Sequence, residues 1–209
     1  YVGPLNRVAD RRKIERKYQH QLVEVRPGKK EAVFTVTREK IQGEEKVQEK
    51  TQEVIPYDLL HVVPPMSAPT FVQTSPLAHT EGPDKGWLKV DRFTLQHLDY
   101  PNIFGLGDVI GVPSTKTGAA IRKQAPIVVH NILATIDGRD TASFHKYTGY
   151  TSCPLITGYR KLILAEFDYS GKPVPSIPWD STKERLSGWF IKVYALPALY
   201  WHAMLRGLA

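Results

Sequence analysis

Asn102-Ile103-Phe104-Gly105-Leu106-Gly107-Asp108, followed after a short gap by Pro113-Ser114-Thr115-Lys116-Thr117-Gly118-Ala119, is the stretch on which the fold turns. The first block reads as a short strand that runs out in two glycines and an acid. In the second, Ser114 and Thr115 are natural N-caps. A helix is expected from about Lys116 to Ile136, with Ile121, Ala125, Val128, Val129, Ile132 and Leu133 at helical spacing. Gly105 and Gly107 would let the backbone approach a ligand closely. Asp108 at the strand end suits a sugar-like hydroxyl, and the amides of Lys116, Thr117, Gly118 and Ala119 open a helix whose positive end favours an electron-rich or anionic group. The glycines depart from the dinucleotide fingerprint, because after Gly105 and Gly107 the third glycine, Gly111, comes one place late. An ordinary strand-to-helix turn accounts for the spacing equally well.

The composition around this block belongs to a folded chain: of 209 residues, 42% are apolar and 23% charged, which excludes disordered and collagen-like classes. A single Cys excludes an internal disulfide framework and a Cys-based zinc site. The histidines are scattered with no i,i+4 pair, so no metal is expected. No apolar run reaches the length of a conventional spanning helix, and the N-terminus lacks the apolar region of a signal peptide. The net charge of +7 is spread along the chain. Its basic N-terminal third offers only Tyr1, Tyr18 and Phe34 for base stacking, and Glu residues interrupt the Lys/Arg runs, so no nucleic-acid partner is expected. A mild positive bias suits an anionic membrane surface.

Outward from the central block, residues 6–19 read as one or two helical turns. His20–Arg26 and Glu31–Thr37 read as a hairpin around Pro27-Gly28, and Arg38–Glu53 as an exposed loop or a third, solvent-facing strand. Asp58–Val63 reads as a buried parallel strand stopped by Pro64-Pro65. Residues 66–86 have the composition of a crossover, and Trp87–Leu98 alternates as a strand does. Tyr159–Ser170 reads as a further strand or hairpin, and 181–208 as one or two aromatic-rich helices broken at Pro197.

Two more features carry chemistry. Cys153, in Tyr150-Thr151-Ser152-Cys153-Pro154, sits where a loop or element end would expose a thiol, although a lone Cys is more often a small buried hydrophobe. The tail from Leu186 carries Trp189, Phe190, Tyr194, Tyr200 and Trp201 with only Lys192 and Arg206 for charge. That pattern suits a helix pair lying in a membrane interface and, equally, an ordinary core or dimer helix.

The central block also resembles the second FAD-contacting motif of flavoproteins with two dinucleotide-binding domains. Further blocks carry the resemblance: His61-Val62-Val63-Pro64-Pro65-Met66, Ser114-Thr115-Lys116-Thr117, Gly149-Tyr150-Thr151-Ser152-Cys153-Pro154-Leu155, Leu164-Ala165-Glu166-Phe167-Asp168-Tyr169 and Lys183-Glu184-Arg185-Leu186. Together they resemble the sulfide:quinone oxidoreductases of mitochondria and some bacteria.

The resemblance implies an α/β fold that is the C-terminal portion of a Rossmann-like, two-dinucleotide-domain flavoprotein with C-terminal amphipathic helices. Residues 1–66 would close the second nucleotide-type domain, 67–147 would return to the FAD domain, and 148–209 would form the redox-cysteine and quinone-side region. The cofactor implied is FAD, contacted by Gly107, Asp108, Lys116, Thr117, Gly118 and Ala119. Cys153 would be one of two redox cysteines. Lys192 would stabilise negative charge on flavin or quinone, although a snorkelling interfacial lysine explains it as well. The implied partners are sulfide, a quinone, a bacterial or mitochondrial inner-membrane surface met without spanning, and an N-terminal half holding the GxGxxG unit and the second cysteine. This segment alone would then be inactive. A type II NADH:quinone oxidoreductase would share the flavin motif and the tail but has no need of Cys153. A non-enzymatic membrane-docking module is the reading from another class.

Overall fold

Asp58–Val63, the stretch with the most strand-like run of apolar residues, forms no strand. It lies between Pro56 and the pair Pro64-Pro65, with Leu59 and Val63 91% and 80% exposed. The flanking prolines cannot donate to a ladder, and no neighbouring strand pairs with the run. The computed structural model describes residues 1–42 and 45–208. Over these the chain is mixed α/β, with antiparallel sheets.

One unit comprises Arg7–Pro65. The chain enters through helix α1 (Val2–Arg11), and strands β1 (His20–Arg26), β2 (Glu31–Gln42) and β3 (Glu45–Pro56) make an antiparallel sheet in sequence order. The Pro27-Gly28 turn joins β1 to β2 as its composition predicts, and a bulge lies at Val23. The polar stretch after Thr37 is strand rather than loop. Arg38 faces Glu49, and Lys40 and Lys46 reach Glu49 and Glu39 across the pair, so opposite charges align the register. Gly43 and Glu44, within that stretch, lie outside the described residues.

The second unit comprises Tyr1–Asn6 and Met66–Ala209. After the short helix α2 (Thr70–Gln73), residues 77–112 form a loop-rich layer held by single bridges, among them Val90 with His97, Gln96 with Phe104 and a parallel one between Leu88 and Ile110. The strands expected at 87–98 and 102–108 are reduced to these isolated bridges. Helix α3 (Gly118–Ile136) packs on the layer. Leu88, Val90, Leu95, Ile110, Val112, Val128 and Tyr147 form the core between them. Strands β4 (Thr151–Gly158) and β5 (Lys161–Phe167) make a hairpin that turns at Tyr159-Arg160, so the strand or hairpin expected over Tyr159–Ser170 is only its second arm, and Cys153 on the first stands opposite Ala165.

The buried face of α3 is not the apolar one. Ala120, Gln124, Val128, Asn131 and Ala134 point inward, whereas Val129, Ile132, Leu133 and Ile136 are exposed. The two buried amides explain the inversion. Asn131 donates to Thr94 O and His145 O and accepts from the His145 amide, so it ties two loop segments to the helix. A buried amide with these partners satisfies backbone groups that loops would otherwise leave bare.

The tail does not break at Pro197. Helix α4 (Leu186–Phe190) runs through a π-helical turn, Ile191–Ala195, into helix α5 (Leu196–His202). Pro197 follows directly on the π-helical turn, as the second residue of α5. No helix among the described residues is long and apolar enough to cross a membrane.

Candidate functional site

Gly105 and Gly107 have different reasons to be glycine. A Cβ on Gly105 would stand 2.3 Å from Leu88 Cδ2 and 2.8 Å from Ile110 Cγ2, so this residue makes room for the core rather than for a ligand. Gly107 adopts φ +74°, and its amide donates to Gln124 Oε1 at 2.7 Å. The turn Gly107–Val109 is thereby fastened to α3, with Asp108 exposed on it.

Helix α3 starts later than expected. Neither Ser114 nor Thr115 caps it: Thr117 does, with its Oγ1 accepting from the Ala120 amide at 3.2 Å. Ser114 instead donates to Gly149 O, and Thr115 Oγ1 lies 2.6 Å from Thr151 Oγ1. Lys116 therefore precedes the cap, and its amide is no part of the helix start. Its ammonium donates to Ile110 O at 2.9 Å and rests 3.9 Å above the Trp87 ring. Burial pushes the Lys116 pKa down, while the carboxylates of Asp108 and Asp84 pull it back up. The amides of Gly118 and Ala119 have no acceptor within the helix. A Cβ on Gly118 would meet no neighbouring atom within 4 Å, so the approach to this end is open.

Strand β4 passes this helix end. Thr151 Oγ1 lies 2.9 Å from Thr117 Oγ1, and alternation along the strand sends Cys153 to the same face as Thr151. Cys153 is exposed, as a thiol that meets dissolved reactants must be. It is the third residue of a paired strand, not a loop residue. From the tail, Lys192 donates to Pro154 O at 2.9 Å. Thr117 meets the strand at Thr151 and Lys192 meets it at Pro154, on either side of Cys153. The sequence offered no sign of Thr151 or Gln124 as fasteners, since each acts through a partner far away in the chain.

Behind β4, Glu166 is 1% exposed. It accepts from Tyr150 Oη at 2.6 Å and from the Ser176 amide at 3.0 Å. Burial, then the bond to Glu166, pushes the Tyr150 phenol up, and burial is likewise the main cause for Tyr147 and Tyr169. Among the described residues, no group of His, Cys, Asp and Glu is arranged to hold a metal.

No family model matches the chain. The mitochondrial sulfide:quinone oxidoreductase of Mus musculus is 43% identical over 99% of the chain, and that of Dictyostelium discoideum 42% over the same share. The Schizosaccharomyces pombe protein of that name is 39% identical over 93%. The chain spans only about two fifths of each: 43%, 42% and 40% of their lengths. The backbone also matches one chain of the Tetrahymena thermophila mitochondrial ATP synthase assembly, solved by cryo-EM as an F1Fo composite tetramer. The TM-score is 0.68 at 25% identity, with 97% of this chain and 43% of that one covered. By sequence, along nearly its whole length, the chain is similar to about two fifths of the mitochondrial sulfide:quinone oxidoreductases.

Proposed function

We propose that this chain is the redox-cysteine and quinone-side portion of an enzyme that oxidises sulfide and delivers the electrons to a membrane quinone. The observation that carries the reading is the exposed Cys153 on a strand fastened to the N-terminus of α3 and joined to Lys192 through Pro154. On this reading residues 1–66 complete a second nucleotide-type domain, 67–147 belong to a Rossmann-like FAD domain, and 148–209 form the reaction and quinone side.

FAD fits the residues at one end of the site. Asp108 offers an exposed carboxylate on the turn that Gly107 makes possible, and Gly118 and Ala119 offer free amides under open space. When bound, FAD supplies the two-electron step between a thiolate and a quinone. Lys116 holds the Asp108 turn against the helix start through Ile110 O.

Cys153 would form a disulfide with a second cysteine contributed by the rest of the protein. Sulfide attacks one sulfur of that bond, the S–S bond breaks, and a persulfide remains on one cysteine and a thiolate on the other. The Thr115–Thr151–Thr117 hydroxyl cluster keeps the strand of Cys153 at the helix end throughout. Lys192 brings a cation beside the same strand, where negative charge develops.

The exposed strip Val129, Ile132, Leu133 and Ile136 on α3 is the face that further polypeptide of the same protein would cover. The exposed Phe190, Tyr194, Tyr200 and Trp201 of the tail would dock in the interface of an inner membrane, lying on it rather than spanning it.

The test is quinone reduction by the full-length protein that carries this segment, with sulfide or NADH as donor. Turnover with sulfide and none with NADH is the expected result. Turnover with NADH alone would overturn the reading in favour of a type II NADH:quinone oxidoreductase.

A further inference from the structure

A pocket of about 400 Å³ opens beside α3, and neither Cys153 nor Lys192 nor any residue proposed to contact FAD lines it. Its polar lining is one-sided. Arg122 and Lys123 come from the second turn of α3 and Lys146 from the segment leading into β4, while no acid lines it. None of the three cations forms a salt bridge among the described residues. Glu166, bonded to the lining residues Tyr150 and Ser176, is buried and taken up by that hydroxyl and the Ser176 amide. The apolar and aromatic part of the wall includes Ile127, Tyr147, Tyr150, Val174 and Pro175, and Thr148 and Ser176 line it as well, with Lys123 Nζ 5.8 Å from the Tyr150 ring centre.

We propose that this pocket binds a multiply charged phosphate-bearing small molecule. Three like charges around one concavity repel one another and are stabilised by an anion that neutralises them together. Arg122 supplies the planar fork that phosphate oxygens match bidentately, and Lys123 and Lys146 supply point charges. The apolar and aromatic wall gives the organic part of such a molecule a surface to lie on, in a volume typical of small-ligand sites. This inference does not depend on the sulfide reading.

The test is calorimetric titration of the full-length protein that carries this segment with inorganic pyrophosphate at low salt. One saturable site is expected. Lys146→Gln should weaken it by about tenfold, the loss of one charge-assisted contact. Arg122→Lys, which keeps the charge and removes the fork, should weaken it as well. The double variant Lys29→Gln/Lys50→Gln, exposed positions on the sheet unit, lowers the net charge by more than Lys146→Gln does and should leave binding unchanged. The proposal is overturned if no saturable site appears, or if the Lys29/Lys50 variant loses as much affinity as Lys146→Gln. The attraction would then be the diffuse charge of the whole chain.

Discussion

Thr117 and Thr151 stand hydroxyl to hydroxyl at 2.9 Å, one capping the longest helix and the other beginning the strand that carries Cys153. Thr151 is buried, and its Oγ1 meets Thr115 as well, so a single hydroxyl cluster sets where the strand meets the helix end. Polar groups buried together in this way fix one register.

Thr117→Val keeps the side-chain shape and removes both the cap and the link to Thr151. It should cost about 1–2 kcal/mol, a fall in thermal midpoint of roughly 2–8 °C for a chain of this size. Thr117→Ser should recover most of it. A valine variant as stable as the unsubstituted chain would show that the cluster holds nothing.

The same residues show what sequence can and cannot reveal. The hairpin around Pro27-Gly28 was legible because turn residues and β-branched runs are local signals, whereas of the β4–β5 hairpin only the second arm was read and Thr151–Gly158 was not. The cap was misplaced because Ser114, Thr115 and Thr117 are all competent caps by residue type, while Ser114 and Thr115 are taken up by Gly149 and Thr151, more than 30 residues away. The inward face of α3 was misread for a related reason. Gln124 and Asn131 are buried to serve the backbone of Gly107, Thr94 and His145, and periodicity of apolar residues says nothing about such partners. Cys153, Asp108 and Lys192 were singled out by the resemblance, while the Lys192 bond to Pro154 O spans 38 residues and leaves no local trace.

Tyr147, Tyr150 and Tyr169 have phenols pushed above their ordinary 10.0, chiefly by burial. A phenol that holds its proton more tightly when folded stabilises the fold in full below the unfolded value. That stabilisation drains away as pH rises through the folded values. Thermal stability should therefore decline above about pH 10. Ultraviolet titration of the ten tyrosines should show a late group that ionises only with unfolding. Titration of all ten as free phenols, with the fold intact, would contradict the burial assigned to these three.

Phe190 and Trp201 are 58% and 62% exposed on the tail helices. Phe190→Glu/Trp201→Glu should leave the fold intact and reduce partition onto anionic liposomes by tenfold or more, since each large apolar side chain contributes roughly 1.5–3 kcal/mol on burial. Flotation of the variant to the same extent as the unsubstituted chain would remove the tail as the docking element.

Cys153 is where the account is most exposed to test. In the full-length protein carrying this segment, Cys153→Ser should retain its flavin, because no residue proposed to hold FAD is altered. The bound flavin should then stay oxidised when sulfide is added, because a hydroxyl forms neither the disulfide nor the donor thiolate. The direct measurement is flavin absorbance after rapid mixing with sulfide. Bleaching in the unsubstituted protein and none in the serine variant is the predicted pair of traces; bleaching of the variant at an undiminished rate would contradict the assignment of Cys153 to the reaction.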